Sequence, residues 1–192
     1  ISDNFNDDSL DTLLWRVFRP PGKVYERNMR IEVEPVEEAS GIRLRNRIDF
    51  RDFDVRVDCD PRKCDWVQLT VGYHPDCEGD YETLTWLNTF YSFWRRSAWD
   101  MLYIFKTTPD GTYTKVWEGG WSQPNARMGI RIEQHPDYPA EERYIIRFFE
   151  GEIEVYSEEC TWLIQAIEGL GVVELFSKTG LTGCDNFEVR KA

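Results

Sequence analysis

The stretch Phe53-Asp54-Val55-Arg56-Val57-Asp58 alternates apolar and charged side chains without a break. Because successive side chains of a β-strand point to opposite faces of a sheet, this pattern predicts a strand with one face in a core and the other in water. Residues 30–34 and 41–45 show the same alternation. The three segments together predict antiparallel sheets that each bury one face.

Similar patterns continue along the rest of the chain, separated by turn signals. Pro109-Asp110-Gly111 predicts a hairpin turn, because Pro fixes φ and Gly accepts a positive φ, and Glu150-Gly151 predicts a second tight turn. One short helix is predicted over residues 161–168, and residues 1–192 are expected to form a single all-β domain. The strand pattern indicates a closed barrel or a two-sheet antiparallel sandwich, and the aromatic content fits the sandwich. The further predicted strands are residues 66–73, 83–94, 101–106, 113–117, 128–133, 143–149, 152–156, 172–177 and 187–190.

The composition fits a large β core. The chain has 192 residues, of which 41% are hydrophobic and 15% aromatic, with eight Trp. Two wide sheets that face each other need bulky side chains to fill the roughly 10 Å between them. No apolar run approaches the roughly 20 residues that span a bilayer, so we expect no transmembrane helix.

The net charge of −12 restricts the partners. Such a surface repels phosphate backbones and anionic lipids, so we expect neither nucleic acid nor membrane as a partner. Strongly acidic glycans are disfavoured for the same reason. Divalent cations are favoured, because carboxylate oxygens are the natural ligands of calcium.

The chain contains five Cys, an odd number, so at least one thiol is free or bonds outside the chain. The preferred interpretation pairs Cys59 with Cys64, across a turn at residues 60–63, and Cys160 with Cys184. Two disulfides indicate an extracellular or cell-surface protein, or the cytosol of a hyperthermophile. The chain begins at Ile1 without a signal peptide, so we expect a processed product or an excised domain. The alternative use of the cysteines is a tetrahedral zinc site formed by Cys59, Cys64, His74 and Cys77.

Both ends of the chain resemble those of the concanavalin A-like lectin/glucanase superfamily. The opening Asp3-Asn4-Phe5, followed by an acidic run and Trp15, is similar to the first strand of that superfamily, and Asp185-Asn186-Phe187 is similar to its closing strand. The resemblance implies a jelly-roll β-sandwich whose first and last strands lie side by side. It leaves the function open, because the superfamily includes lectins, carbohydrate-binding modules, hydrolases, lyases and adhesion domains.

The resemblance also implies a structural calcium ion where the terminal strands meet. The positions that match the ligands in many relatives are Asp3 or Asn4, Gly41 and Asp185. Calcium takes six to eight oxygens, and backbone carbonyls with one or two carboxylates supply them. The alternative is that Asp185 and Asn186 only bond the neighbouring backbone.

A cluster of aromatic residues provides the candidate ligand site. In an extended strand Trp86, Phe90 and Trp94 share one face, and Tyr91 and Phe93 share the other. One face must be core. The other is open to a ligand, covered by a loop of this chain, or covered by a protein partner. Exposed rings offer flat apolar platforms to sugars, and the predicted ligand-binding residues are Trp86, Tyr91, Trp94, Arg95, Trp99 and Trp121.

These observations favour a non-catalytic, lectin-like domain that binds a neutral carbohydrate on its concave sheet. One alternative is a structural, assembly or adhesion subunit of an extracellular structure, which contacts a protein partner or forms a homo-oligomer. The other is a glycoside hydrolase or polysaccharide lyase of the same fold. Glu152 and Glu154 superficially resemble the paired carboxylates of the retaining glucanases. Tyr156 stands where a further acid is needed, so no catalytic residue is assigned and an enzyme is not favoured.

Overall fold

The computed structural model describes residues 1–3, 11, 13–18, 23–27, 30–34, 40–73, 89–96, 100–121 and 127–192. Within these ranges the chain forms fourteen strands and one helix. In chain order they are β1 (Ser2–Asp3), β2 (Trp15–Phe18), β3 (Lys23–Arg27), β4 (Arg30–Glu34), β5 (Ser40–Leu44), β6 (Ile48–Asp49), β7 (Phe53–Tyr73), β8 (Thr89–Arg96), β9 (Met101–Thr107), β10 (Tyr113–Gly120), β11 (Arg127–Gln134), β12 (Tyr144–Glu150), β13 (Ile153–Glu159), α1 (Thr161–Ala166) and β14 (Leu170–Arg190).

Two long antiparallel strands, β7 and β14, run through both layers of the fold. Their pairing extends from Asp54 opposite Arg190 to Gly72 opposite Val172. The sequence predicted each of them as two separate strands, and this detail is wrong. Residues 59–64 continue to pair with β14, so there is no turn at residues 60–63.

The first sheet is built around the early part of β7. It contains β13, β12 and β11 on one side of residues 53–58, and the late part of β14 followed by β1 on the other. All of these pairs are antiparallel. Val55 pairs with Ile130 of β11, which fixes the register of the apolar positions across the sheet.

The second sheet is built around residues 66–73 of β7. On one side lie β8, β9 and β10, and on the other the early part of β14, then β5 and β2. The hairpin of β3 and β4 joins the middle of β14, where Gly183 pairs with Glu32. Short β6 pairs with the start of β14.

Side chains from the inner faces of the two sheets form the core. Phe148 of β12 lies between Tyr91 and Phe93 of β8, with ring centroids 5.9 Å and 5.7 Å away. All three side chains are completely buried. The alternating strand at residues 53–58 behaves as predicted in this core, because Phe53, Val55 and Val57 are buried in the same cluster. The predicted two-sheet antiparallel sandwich is confirmed.

The terminal strands lie side by side, as the sequence predicts. Ser2 pairs with Glu188 and Asp3 with Phe187. The Trp15 ring meets the Phe187 ring edge-on at 4.7 Å, and the Trp15 indole Nε1 donates a hydrogen bond of 2.8 Å to Asp3 Oδ2. The first strand is therefore fixed both through its backbone and through a buried tryptophan.

The two predicted hairpin turns, at residues 109–111 and 150–151, and the predicted helix are present. Gly111 and Gly151 have positive φ values of 82° and 61°, which explains why glycine occupies both turns. The helix α1 ends two residues earlier than its pattern predicted, and Gly169 follows it with a φ of 79°. In the described part of the chain, no helix has the length and apolar character to cross a membrane.

Charged groups occupy the outer face of the first sheet. The fully buried Asp54 carboxylate accepts hydrogen bonds from Arg56 and Arg131, and Arg190 lies 3.6 Å away. Arg56 also lies over the Phe149 ring, with its guanidinium carbon 4.2 Å from the ring centroid. Arg56, Arg131 and Arg190 therefore all contact partners within the protein.

Candidate functional site

The outer face of the second sheet carries a row of aromatic side chains. Each strand from β7 to β10 contributes every second residue to this face, and the register aligns them, with Trp94 opposite both Gln68 and Tyr103. Most of the rings are partly exposed, and Tyr113 exposes 53% of its surface. We call this set the aromatic face: Trp66, Phe90, Trp94, Tyr103, Phe105 and Tyr113.

Neighbouring rings of the aromatic face contact one another. Trp66 stacks on Trp94 at a centroid distance of 4.4 Å, and Trp94 meets Phe105 at 4.7 Å. Phe105 then stacks on Tyr113 at 5.1 Å with the planes only 6° apart. The contacts form a continuous row across four strands, and Tyr113 at its end has one ring face without a stacking partner in the described residues.

Polar side chains lie between the rings. The Trp94 indole Nε1 donates a hydrogen bond to Ser92 Oγ, and Ser92 Oγ lies 3.1 Å from Thr70 Oγ1. Gln68 Nε2 donates to Thr70 Oγ1 at 2.6 Å. Ser92, Thr70 and Gln68 are all buried. This network fixes the orientation of the Trp94 ring and places amide and hydroxyl groups beside it.

A buried ion pair continues the same row of residues onto β14 and β5. Glu174 pairs with Thr70 on one side and Arg43 on the other, and its carboxylate accepts a hydrogen bond from the Arg43 guanidinium. Both side chains are about 2% exposed. Burial raises the pKa of Glu174 to about 7, although the charge of Arg43 acts in the opposite direction. The Arg43–Glu174 ion pair therefore holds the two polar side chains in place where the row of residues ends on β14 and β5.

Among the described residues, the two acids that border the aromatic face do not form a catalytic pair. Glu174 belongs to β14 and Glu118 to β10, and four strand spacings of about 4.8 Å separate them by roughly 19 Å. Glycosidases hold their two carboxylates about 5–9.5 Å apart. Glu118 is also bound to Lys115. Glu154, compared above with glucanase acids, lies on β13 of the first sheet and binds Arg147 at 2.9 Å.

The structure divides the predicted ligand-binding residues between two faces. Trp94 lies on the aromatic face. Tyr91 and Arg95, which alternate with it along β8, point into the interior and are at most 1% exposed. Their predicted role at a surface ligand site is therefore corrected. Trp121 is partly buried under the Arg95 guanidinium, 3.7 Å from its ring centroid. Trp86 and Trp99 lie outside the described residues.

The predicted calcium ligands are not brought together. Gly41 pairs with Phe176 of β14, and Asp185 lies further along that strand, roughly 30 Å away for an extended chain. Asp3 accepts the Trp15 hydrogen bond, and Asp185 accepts one from the backbone of Asn186. The second of these contacts is the backbone bonding that the sequence offered as an alternative to calcium.

An arginine occupies the acidic groove where the termini meet. This groove of about 490 Å³ is lined by Asp3, Asp58 and Glu188 among other residues. Arg127 lies 3.2 Å from Asp58 and 3.9 Å from Glu188, so a side-chain cation already pairs with two of these carboxylates. Across the described residues there is no cluster of three acidic, His or Cys side chains able to hold a metal. The described residues of this groove therefore present no set of calcium ligands.

Neither predicted disulfide is formed. Cys59, Cys160 and Cys184 are free and buried, and Cys59 faces Cys184. The pairing of Cys59 with Cys64 assumed a turn, whereas five strand positions separate the two by roughly 17 Å. The zinc hypothesis also needs His74 and Cys77, which lie outside the described residues, as does the Cys64 side chain.

The sequence does not single out most rings of the aromatic face as ligand candidates, among them Trp66, Phe105 and Tyr113. These three belong to three different strands. Their contact depends on the pairing of β7 with β8 and of β9 with β8 and β10. The alternation within each strand predicts which residues share a side, but it does not predict which strands are neighbours.

No protein-family model matches the chain, and no curated protein matches it. Solved structures are similar in fold. The endo-beta-1,3-glucanase from Pyrococcus furiosus has a TM-score of 0.67 at 8% identity, covering 100% of this chain and 93% of that one. The carbohydrate-binding module CBM66 from Bacillus subtilis has a TM-score of 0.59 at 12% identity, covering 92% and 95%. Lectin I-B4 from Griffonia simplicifolia has a TM-score of 0.60 at 9% identity, covering 100% and 99%.

Proposed function

We propose that this chain, which has the concanavalin A-like jelly-roll fold, binds a neutral carbohydrate on its aromatic face without catalysing a reaction. The observation that carries the proposal is the continuous row of partly exposed rings from Trp66 to Tyr113, with polar side chains between them. Flat rings bury the apolar C–H surfaces of sugars, and the buried polar network holds the Trp94 ring in place for such a contact. A carbohydrate-binding module and a lectin are among the structures of similar fold, which supports this ligand class.

The charge of the chain supports a neutral rather than an acidic sugar. The net charge is −12. Near the aromatic face, Lys115 is bound to Glu118 and Arg43 to Glu174, so these two positive groups are already neutralised by neighbours. A sulfated or uronic acid polymer would meet a repulsive surface without a free cation among these residues. Neutral glucans are therefore the first ligands to test.

Binding is favoured over hydrolysis because the two acids beside the aromatic face lie too far apart to act on one glycosidic bond. The glucanase among the similar structures shows that the fold also serves hydrolysis in that protein, so the distinction needs a direct test. We expect no release of reducing ends from neutral polysaccharides that the protein retains in an affinity gel. Release that depends on Glu174 would favour the hydrolase alternative.

The test of the binding site uses Tyr113, the most exposed ring of the aromatic face. Tyr113→Ala removes a stacking surface, and we expect an affinity about five-fold to ten-fold weaker, corresponding to roughly 1 kcal/mol. Tyr113→Phe keeps the ring and is expected to keep most of the affinity. Titration calorimetry with a soluble neutral β-glucan, or its retardation in affinity electrophoresis, measures the effect.

Tyr138 provides the matched control. It is exposed by 37% but lies in the turn between β11 and β12, where it packs on His135 and Arg143. Tyr138→Ala should leave the affinity unchanged. Equal losses for Tyr113→Ala and Tyr138→Ala would contradict a site on the aromatic face, as would the absence of binding to any neutral glycan by the folded protein.

A protein partner or a second copy of the chain is the second candidate for the same face. Partly exposed aromatic rings beside arginine, here Trp66 and Trp94 near Arg96, are also typical of protein interfaces. Light scattering at increasing concentration distinguishes the two candidates. Association that Tyr113→Ala abolishes would favour a homo-oligomer, whereas a monomer that binds glycan supports the first proposal. An extracellular or cell-surface location is part of the proposal.

A further inference from the structure

Two buried cysteines lie opposite each other where β7 and β14 pass between the sheets. Cys59 and Cys184 are direct register partners, and their Sγ atoms are 3.1 Å apart. Only 4% of Cys59 and 2% of Cys184 is exposed. Both side chains therefore point to the same inner face and meet in the core.

This arrangement meets the geometric requirements of a disulfide. Partners in an antiparallel pair have Cα atoms about 4.5–5.5 Å apart, and a disulfide needs about 4.4–6.8 Å. The two sulfurs must approach each other by only about 1 Å to reach bonding distance. Neither strand has to change its register for this movement.

We propose that Cys59 and Cys184 form a cross-strand disulfide when the protein meets a low-molecular-weight disulfide such as oxidised glutathione. The thiolate of one cysteine attacks the glutathione disulfide, which forms a mixed disulfide and releases one glutathione thiolate. The thiolate of the second cysteine then displaces the other glutathione. In total the protein loses two protons and two electrons, and one glutathione disulfide becomes two glutathione thiols.

Burial determines when this reaction proceeds. Burial raises the pKa of the Cys59 thiol well above its ordinary value, and the neighbouring Cys184 adds to this shift. The thiol therefore stays protonated in the folded protein at neutral pH and is closed to solvent. Oxidation is expected during folding or when β7 and β14 separate transiently, and slowly in the native state.

The bond would connect the two strands that both sheets share. It closes a loop between positions 125 residues apart, which restricts the unfolded chain strongly. We expect oxidation to raise the Tm by about 5 °C or more. Cys184→Ser should abolish this rise.

Cys160 is the matched control. It is buried as well, and burial also raises the pKa of its thiol. However, it lies between β13 and α1, and no described strand pairing places it opposite another cysteine. Cys160→Ser should keep the oxidation-dependent rise in Tm.

The experiment refolds the whole chain from denaturant in a glutathione redox buffer, alkylates the remaining thiols and maps the peptides by mass spectrometry. A peptide pair that links Cys59 to Cys184 supports the proposal. Alkylated Cys59 after refolding in excess oxidised glutathione would overturn it, and so would Cys59 linked to Cys64.

A second variant keeps the test decisive if substitution of a buried cysteine prevents folding. Cys64→Ser and Cys77→Ser together leave the three buried cysteines, Cys59, Cys160 and Cys184, unchanged. The intact mass of this double variant should fall by two hydrogen masses after oxidation and recover with reductant, and the link should map to Cys59 and Cys184. An unchanged mass in the refolded, oxidised sample would contradict the proposal.

Discussion

Asp54 shows how one position of an alternating strand can serve the stability of a whole sheet face. The sequence assigns it to the solvent side of β7, yet its side chain is completely buried. Three arginines on three strands, Arg56, Arg131 and Arg190, cover it. The residue that alternation marks as exposed is therefore the buried anion of a charge network.

Asp54→Asn should destabilise the protein by about 3 kcal/mol at pH 7, because it removes the shared partner of these arginines. Burial alone would raise the pKa of Asp54, but hydrogen bonds from Arg56 and Arg131 outweigh it and hold the pKa below the ordinary 3.8. The stabilisation is thus complete above that value and is lost as the pH falls through the lowered pKa of the folded state.

Urea unfolding at pH 7 and at about pH 3 measures this effect for wild type and Asp54→Asn. The difference in unfolding free energy should be largest at pH 7 and should decrease in acid. Asp137, whose side chain is 82% exposed, provides a control, and Asp137→Asn should change stability by less than about 0.5 kcal/mol. A difference for Asp54→Asn that grows in acid would refute the charge network.

At the level of secondary structure, the spacing between β7 and β8 depends on a glycine. Gly72 pairs with Phe90, and a Cβ at this position would lie 2.3 Å from the Thr89 carbonyl oxygen and 2.5 Å from Phe90 Cβ. The backbone of β8 cannot move away without breaking its pairing with β9. The close approach therefore requires glycine.

Gly72→Ala should consequently destabilise the protein by about 2–3 kcal/mol through overpacking. Gly120 is the matched control, because a Cβ there would have only the Asp100 carbonyl oxygen nearby, at 3.9 Å. Thermal unfolding of both variants checks the prediction. Equal stability of Gly72→Ala and Gly120→Ala would show that β8 is not held this close to β7.

The sequence predicts the elements better than their extent or neighbours. Alternation identifies the apolar side of β7 correctly, since Val55 and Val57 are buried. It does not show that β7 continues to Tyr73, because Pro61 and the charges around it locally indicate a turn. The strand persists there because β14 pairs with it, and that long-range contact has no local signature.

The sequence predicts the candidate site only in part, because contacts between strands again have no local signature. The density of aromatic residues identifies Trp94. The same density also assigns Tyr91 to the ligand although it is completely buried, because composition does not tell which side of β8 faces the core. Tyr113 is not identified, because it reaches the aromatic face only through the pairing of β9 with β10.

At the scale of the whole molecule, the two sheets are held together by a shared core rather than by separate ones. Phe148 of the first sheet contacts Tyr91 and Phe93 of the second and is completely buried. Phe148→Ala should cost about 3–5 kcal/mol. Phe148→Leu, which keeps most of the volume, should cost clearly less. The two variants are compared by urea unfolding, and a loss below 1 kcal/mol for Phe148→Ala would contradict this packing.

Urea unfolding also tests whether the two sheets unfold as one cooperative unit. Because the core and the strands β7 and β14 belong to both sheets, fluorescence and far-ultraviolet circular dichroism should report one coincident unfolding transition. Two separated transitions in the wild-type protein would mean that the sheets unfold independently.

The central place of β14 affects how the protein is made. It follows all the other described strands in the sequence, yet it pairs with β7 in both sheets. During synthesis the strands before α1 are made first, so one edge of β7 lacks its neighbour until β14 follows. That open edge is a template for chaperones or for aggregation. The final fold therefore forms only after translation of residues 170–190. A stall before them would leave an incomplete, aggregation-prone sandwich in which one edge of β7 is unpaired.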